Sequence, residues 1–333
     1  MSEYGPSLTP RMRPINPKRS TIVSVLDVGT SKVVCLIAEL LPVSGAEALK
    51  GRTHKARIIG LGHQRARGIK GGAIIDLEAA EHSIRLAIDA AERMARVEVR
   101  SVIVNMTGGR LKSEAYNAEI FLRGQGVADG DIRRVFEAMS YTGAETGRSV
   151  LHSLPTGFSI DETRHIRDPH GMIGEKLGVD MHILTSDEYA IRNLMLAVER
   201  CHVGVEAVVA SPYASGLSSL VDDEAEMGVA VVDLGGGTTS VGVFSNGVLV
   251  HADAVAVGGN HITMDIARGL STGINHAERL KTLYGSTLAS PSDDRETVAV
   301  ASVDEAQGDH VYHIPKSQLV RIIRPRVEEI LEL

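Results

Sequence analysis

The chain of 333 residues has only two cysteines, Cys35 and Cys201, too few for a disulfide framework. Cys35 sits in an apolar run, and both read as reduced, packed thiols of a cytoplasmic protein. Long hydrophobic runs are also missing: Asp27 and Glu39 interrupt the best candidates well short of the ~18 residues that a membrane span needs. The first twenty residues hold four prolines and four arginines or lysines but no apolar signal core, so residues 1–20 read as a flexible N-terminal arm. Positive charge is not in excess. A net charge of −7 argues against a general nucleic-acid binder, and no nucleic-acid partner is expected. Two nucleotide fingerprints are absent as well. Gly60-Leu-Gly62-His-Gln-Arg65 lacks the third glycine of a dinucleotide site and follows a strand without opening a helix, and there is no Walker loop. The histidines at 165 and 170, 261, and 310 and 313 match no tight ligand spacing with a Cys or Glu partner and read as surface residues.

What is present is one device used twice. Val25-Leu-Asp27-Val-Gly29-Thr30-Ser31-Lys32-Val33-Val34 and Val231-Val-Asp233-Leu-Gly235-Gly236-Gly237-Thr238-Thr239-Ser240-Val241 each give an apolar strand, an aspartate at its end, a Gly/Thr/Ser turn and a second apolar strand. Singly, an Asp-x-Gly turn between β-branched runs is an ordinary hairpin. The repetition, roughly 200 residues apart, fits two related lobes. Such turns aim several backbone N–H groups one way, as a phosphate chain requires. Two converging aspartates would repel unless protonated or bridged by a cation, and nucleotide-borne Mg²⁺ supplies one.

Val257-Gly258-Gly259-Asn260 follows the second hairpin and opens a helix whose N-terminal amides suit an anionic or hydroxyl-bearing ligand, though a simple cap would look the same. Farther on, Glu278 and Lys281 are three apart on a helix. They share a face and make either a surface ion pair or a polar grip on a ribose and base.

Elsewhere, residues 42–55 read as a polar turn before a strand at Arg57. A helix over Leu77–Ala95 buries Ile84, Ala87, Ile88, Ala91 and Met94 on one face. Residues 99–175, with a strand at Ser101–Met106 and a helix from Asp129 to Thr142, read as a small α+β insertion. Asp180–Thr185 resumes a core strand, and Val205–Ala210 starts a second lobe. The loop Ser286–Glu296 reads as mobile, and the last segment as a helix broken or kinked at Pro325.

With these pieces in this order, the sequence resembles the actin/sugar-kinase superfamily and, within it, the FtsA family of bacterial cell-division proteins, over roughly residues 20–333. Asp27, Gly29, Thr30, Ser31 and Lys32 resemble the first phosphate loop, and Asp233 with Gly235–Thr239 the second. Ala210–Gly216 resembles the inter-lobe connecting helix, and Ala277-Glu278-Arg-Leu-Lys281 the ribose and purine contact. The resemblance implies an α/β, actin-like two-lobed fold built on a duplicated ribonuclease-H-like core with inserted α+β subdomains. Its parts would be a first-lobe core at 21–98 and 176–204, an assembly subdomain at 99–175, an incomplete second-lobe core at 205–260 and 311–333, and a second insertion at 261–310. Family members continue with a Gly-Gly nucleotide loop, a second connecting helix and a C-terminal amphipathic membrane helix, so the chain reads as truncated.

The function so implied is ATP binding with Mg²⁺, Asp27 and Asp233 holding the metal through water. Its output would be an actin-like filament on the cytoplasmic face of the inner membrane, attached through the C-terminal helix. Partners would be the FtsZ C-terminal tail, docking near Arg324 and Arg326, and later division proteins at residues 99–175. The stretch Ser211–Ser215 has no carboxylate nearer than Glu206 to orient a water, so hydrolysis should be slow. The alternatives are a small-molecule kinase of the same superfamily and an actin-like relative of pilus or cell-shape type.

Overall fold

A computed structural model describes residues 12, 14–43, 53–124, 126–139, 147–302 and 311–332. Most of the expected arm and polar turn, the expected helix end at Thr142, residues 303–310 with His310, and Leu333 lie outside the described residues. The chain forms two compact units, Met1–Asp233 with Ser240–Ala254, and Leu234–Thr239 with Val255–Leu333.

In the first unit, β1 (Thr21–Val28) and β2 (Lys32–Pro42) form the first hairpin, Val28 opposite Val33 and Thr21 opposite Leu40. Period-two alternation buries Leu26 and Val28 on one strand and Val33, Cys35 and Ile37 on the other. β3 (His54–Arg65) joins antiparallel to β2, and β4 (Ile69–Lys70) pairs with β5 (Ala73–Ile74). α1 (Leu77–Ala95) starts where the Asp76 carboxylate accepts the Ala79 N–H at 3.1 Å. It packs hard on β3. A Cβ on Gly60 or Gly62 would lie 2.5 Å from the Ala91 oxygen or 1.7 Å from the Ala87 oxygen.

Ile84, Ala87, Ile88 and Ala91 are buried, but Met94 is 63% exposed. At 3.6 residues per turn Met94 falls about 80° from the line through Ile84, whereas Ala95 falls close to it. Ala95 therefore takes the place beside Gly60.

β6 (Ser101–Met106) runs parallel to β1, with Asp27 beside Asn105. The chain then builds a separate antiparallel sheet from β7 (Lys112–Phe121), α2 (Asp129–Ala138), β8 (Arg148–Ile160), β9 (Thr163–Ile166) and β10 (Lys176–Asp187), in strand order β7-β10-β8-β9. β10 is central, which explains its nearly unbroken burial. Its core joins Val135 and Met139 from the helix side to Leu177, Val179, Met181 and Ile183.

After α3 (Glu188–Glu199), β11 (Gly204–Ala210) returns to pair parallel with β6, completing the order β11-β6-β1-β2-β3. The expected boundaries need correction here. β6 and β11 belong to the first sheet, not to the insertion and the second lobe, and β10 belongs to the inserted sheet. α4 (Ser211–Ser219), α5 (Asp222–Met227) and a sheet of β12 (Val229–Leu234), β13 (Thr239–Ser245) and β14 (Val248–Val255) follow. Gly216 lets α4 approach Phe244, whose ring would be 2.1 Å from a Cβ there.

The second unit packs α6 (Gly259–Gly269), α7 (Ile274–Tyr284), β15 (Thr297–Ala301), β16 (Val311–Pro315) and α8 (Lys316–Glu332). Its core joins Ile266, Leu280, Val300, Ile314, Leu319 and Ile323. α8 continues through Pro325 instead of breaking there. Ile323 and Ile330 are buried on either side of the proline and Arg326 is tied to Asp265, so packing outweighs the lost backbone bond. The loop Ser286–Glu296 is anchored, contrary to expectation: buried Asp293 accepts the Ser290 N–H at 2.7 Å and pairs with Lys316 at 3.2 Å. Among the described residues no helix is long and apolar enough to cross a membrane.

Candidate functional site

The two turns singled out in the sequence close in the same way. In the first unit the Gly29 N–H donates to the Lys32 carbonyl at 3.0 Å, and in the second the Gly235 N–H donates to the Thr238 carbonyl at 2.9 Å. Both glycines are needed for closeness: a Cβ would stand 2.9 Å from the Lys32 oxygen and 2.8 Å from the Thr238 oxygen. The bonds that close the turns use neither the Thr30 and Ser31 amides nor those of Gly236 and Gly237. Each turn therefore offers two adjacent N–H groups just past an aspartate, a donor set that suits phosphate oxygens.

In the first unit, the Asn105 amide donates to Asp27 Oδ1 at 3.0 Å, and the Ser211 hydroxyl donates to Asn105 Oδ1 at 3.0 Å. Ser211 also meets the Thr107 hydroxyl. Four residues further along α4, the Ser215 hydroxyl donates to Asp233 Oδ2 at 2.8 Å. Asn105 reaches Asp27 because the parallel register sets the two side by side. Burial raises the Asp27 carboxyl above its ordinary value, the Asn105 hydrogen bond opposes this, the Asp233 charge adds to it and Lys32 opposes it. Two carboxylates in mutual repulsion, each with one oxygen held, fit a hydrated Mg²⁺. Thr30 accepts the Gly72 N–H at 3.0 Å, tying the first turn to the β4–β5 ladder, while Ser31 and Lys32 are exposed.

In the second unit, Gly258 lies against the turn, where a Cβ would be 2.5 Å from the Gly235 oxygen and 2.9 Å from the Thr238 nitrogen. The first amides of α6 are spent on this contact. Gly259 donates to the Gly235 carbonyl at 3.0 Å and Asn260 to the Gly236 carbonyl at 2.7 Å. The expectation that these amides face a ligand is thereby corrected: they fix the turn, and Thr239 adds a bond to the Val257 carbonyl at 2.8 Å.

Glu278 and Lys281 are paired at 2.7 Å and converge on Thr263, which the sequence did not mark. Lys281 also donates to the Gly259 carbonyl at 3.1 Å, so the pair is joined to the glycine segment. Burial pushes the Glu278 carboxyl up, but hydrogen bonds from Lys281 and Thr263 outweigh it and hold the group below its ordinary value. Thr263 was legible only as a hydroxyl one turn into α6. Asn105 was legible as a polar residue near the end of an apolar strand. Arg326 is bound by Asp265 at 2.6 Å and by Glu329, and Arg324 by Glu328 at 2.7 Å. Among the described residues no three His, Cys, Asp or Glu side chains gather as a metal cluster.

Comparison with known proteins bears on the family and the fold. Residues 230–324 match the family model described as cell division protein FtsA, and residues 108–185 match the SHS2 domain inserted in FtsA, which spans the four-stranded sheet. The cell division protein FtsA of Rhizobium meliloti (strain 1021) is 52% identical over 324 residues, covering 97% of this chain and 73% of that protein. The solved PilM-PilN type IV pilus biogenesis complex aligns with a TM-score of 0.57 at 14% identity, covering 93% of this chain and 74% of the other. MreB5 of Spiroplasma citri, solved bound to ADP, aligns at 0.50 and 15%, covering 96% and 78%. The chain belongs to the FtsA family of bacterial cell-division proteins and has an actin-like α/β fold.

Proposed function

We propose that this cell-division protein binds ATP with Mg²⁺ and uses the nucleotide to favour one conformation over another, with little turnover. The observation that carries the reading is the repeated turn, closed from Gly29 to Lys32 and from Gly235 to Thr238 with two amides left over in each. In this reading the phosphates take Gly29–Ser31 and Gly235–Thr239, and Asp27 and Asp233 hold Mg²⁺ through its waters. Thr263, Glu278 and Lys281 grip the nucleoside. The ADP described for MreB5 is a property of that protein and supports the choice of ligand here.

Hydrolysis would need a group that orients water in line with the γ-phosphate. α4 presents Ser211, Tyr213 and Ser215, and Glu206 on β11 meets the Ser101 hydroxyl at 3.3 Å. We therefore assign turnover below about 1 s⁻¹, under the usual enzyme scale.

The reading extends to assembly as an actin-like filament at the cytoplasmic face of the inner membrane. The inserted subdomain would meet later division proteins, and α8 would receive the acidic FtsZ tail. Because Arg324 and Arg326 already hold carboxylates, such a peptide would exchange with Glu328 and Glu329. Titration of the purified chain with a fluorescent ATP analogue and Mg²⁺ tests the core of the proposal. Saturable binding that Gly236→Asp abolishes, with thermal unfolding retained, is the expected result. A wild-type chain that does not bind overturns it.

A further inference from the structure

α4 is nine residues long, yet it is bonded to Asp233 directly and linked to Asp27 through Asn105, and the residue before it, the last of β11, is bonded to the inserted sheet. On the site side, Ser215 holds Asp233, and Ser211 holds Asn105, which holds Asp27. On the other side, the backbone N–H of Ala210, the residue that caps α4, donates to Nε2 of His152 on β8 at 3.0 Å. The His152 ring also meets the Tyr213 ring edge-on, centroids 4.9 Å apart.

His152 can accept that bond only as a neutral ring. Burial, with a smaller effect from His182, pulls its pKa down to about 4, so it remains an acceptor at physiological pH. At the far end of α4 the contact is loose. Leu217 and Leu220 border a groove of about 440 Å³, with Phe158 of β8 and Phe244 in its walls. The Arg167–Glu226 ion pair on its rim, at 3.1 Å, is exposed. The inserted sheet thus holds the start of α4 by a part-buried bond and faces its end across open space.

We propose that α4 transmits the nucleotide state to the inserted subdomain, with Ser211 and Ser215 as positioning residues at the carboxylates and His152 as the receiving residue. This rests on the ATP reading above. Ser215 and, through Asn105, Ser211 tie α4 to the Asp233 and Asp27 carboxylates that would hold the dication, so a change in the spacing of those carboxylates would carry the helix with it. β8 is displaced with the Ala210 amide because His152 is fastened to it.

Hydrogen exchange of the full chain with and without MgATP tests the relay, comparing the turn at 235–239 with β8 at 148–160. In the wild type, MgATP should slow exchange at the turn and change it in β8 by about threefold or more. His152→Phe, which keeps a ring against Tyr213 but removes the acceptor, should keep the turn's protection and nucleotide affinity within about threefold while losing the β8 response. His152→Gln, which restores an acceptor, should recover that response. If His152→Phe does not fold, His152→Leu, which also removes the acceptor and lies outside the nucleotide site, carries the test, with turn protection kept and the β8 response lost. Protection at the turn with no β8 change in the wild type, or a β8 change that survives in the folded variant, overturns the relay alone. Absence of protection at the turn overturns the ATP reading and the relay together.

Discussion

Asp27 and Asp233 oppose each other's charge. The Asp27 carboxyl is raised first by burial, against the Asn105 hydrogen bond, and further by Asp233, against Lys32. Because the folded value exceeds the ordinary 3.8, folding favours the protonated group. Its contribution to stability is full below pH 3.8 and is lost as pH rises through the folded value. Asp27→Asn should therefore melt at a higher temperature than the wild type at pH 7, with the gap closing towards pH 4, and should lose Mg²⁺-dependent ATP binding. Thermal denaturation across that range and nucleotide titration measure the two effects.

Gly258→Ala places a methyl group 2.5 Å from the Gly235 oxygen, against backbone that cannot yield cheaply. Destabilisation of about 1–3 kcal/mol is expected from such overpacking. ATP affinity should fall at least about tenfold because the turn itself is displaced. Denaturant unfolding and a binding titration of the same preparation check both.

Thr263→Val preserves shape and removes the hydroxyl on which Glu278 and Lys281 converge. Since Thr263 is only 3% exposed, stability should drop by about 1–2 kcal/mol. The Glu278 carboxyl should titrate higher than in the wild type, because one of the bonds holding it down is gone. A carboxyl-resolved NMR titration reports the second effect.

Ser113 of β7 fastens the inserted sheet to β14: its hydroxyl accepts the Ala252 N–H at 2.7 Å and donates to the Ala252 carbonyl at 2.8 Å. Ser113→Ala leaves both backbone groups of Ala252 without that partner, costing about 1–3 kcal/mol. Nucleotide affinity should stay near the wild-type value, as Ser113 touches neither turn. Chemical unfolding alongside ATP binding separates the two readouts.

Much of this was written locally. Both turns, the Leu77–Ala95 helix and the Glu278–Lys281 pair follow from residue order, because hairpin closure and helical spacing are short-range effects. Apolar strands were harder to place. Ser101–Met106 and Val205–Ala210 read alike in any sheet, and parallel pairing gives no turn to mark the partner. By sequence the N-terminal amides of α6 suit a ligand and a simple cap equally, and only the contact with Gly235 and Gly236 distinguishes the two.

By itself, the sequence determined the duplicated Asp–turn device, the residues proposed to bind phosphate and the family resemblance. Tertiary structure alone decided that Asn105 holds Asp27 from 78 residues away, that Ser211 holds Asn105 from 106 away, and that His152 holds the start of α4. Those bonds depend on which strands lie side by side. Burial of whole faces sets that order, and no local period records it.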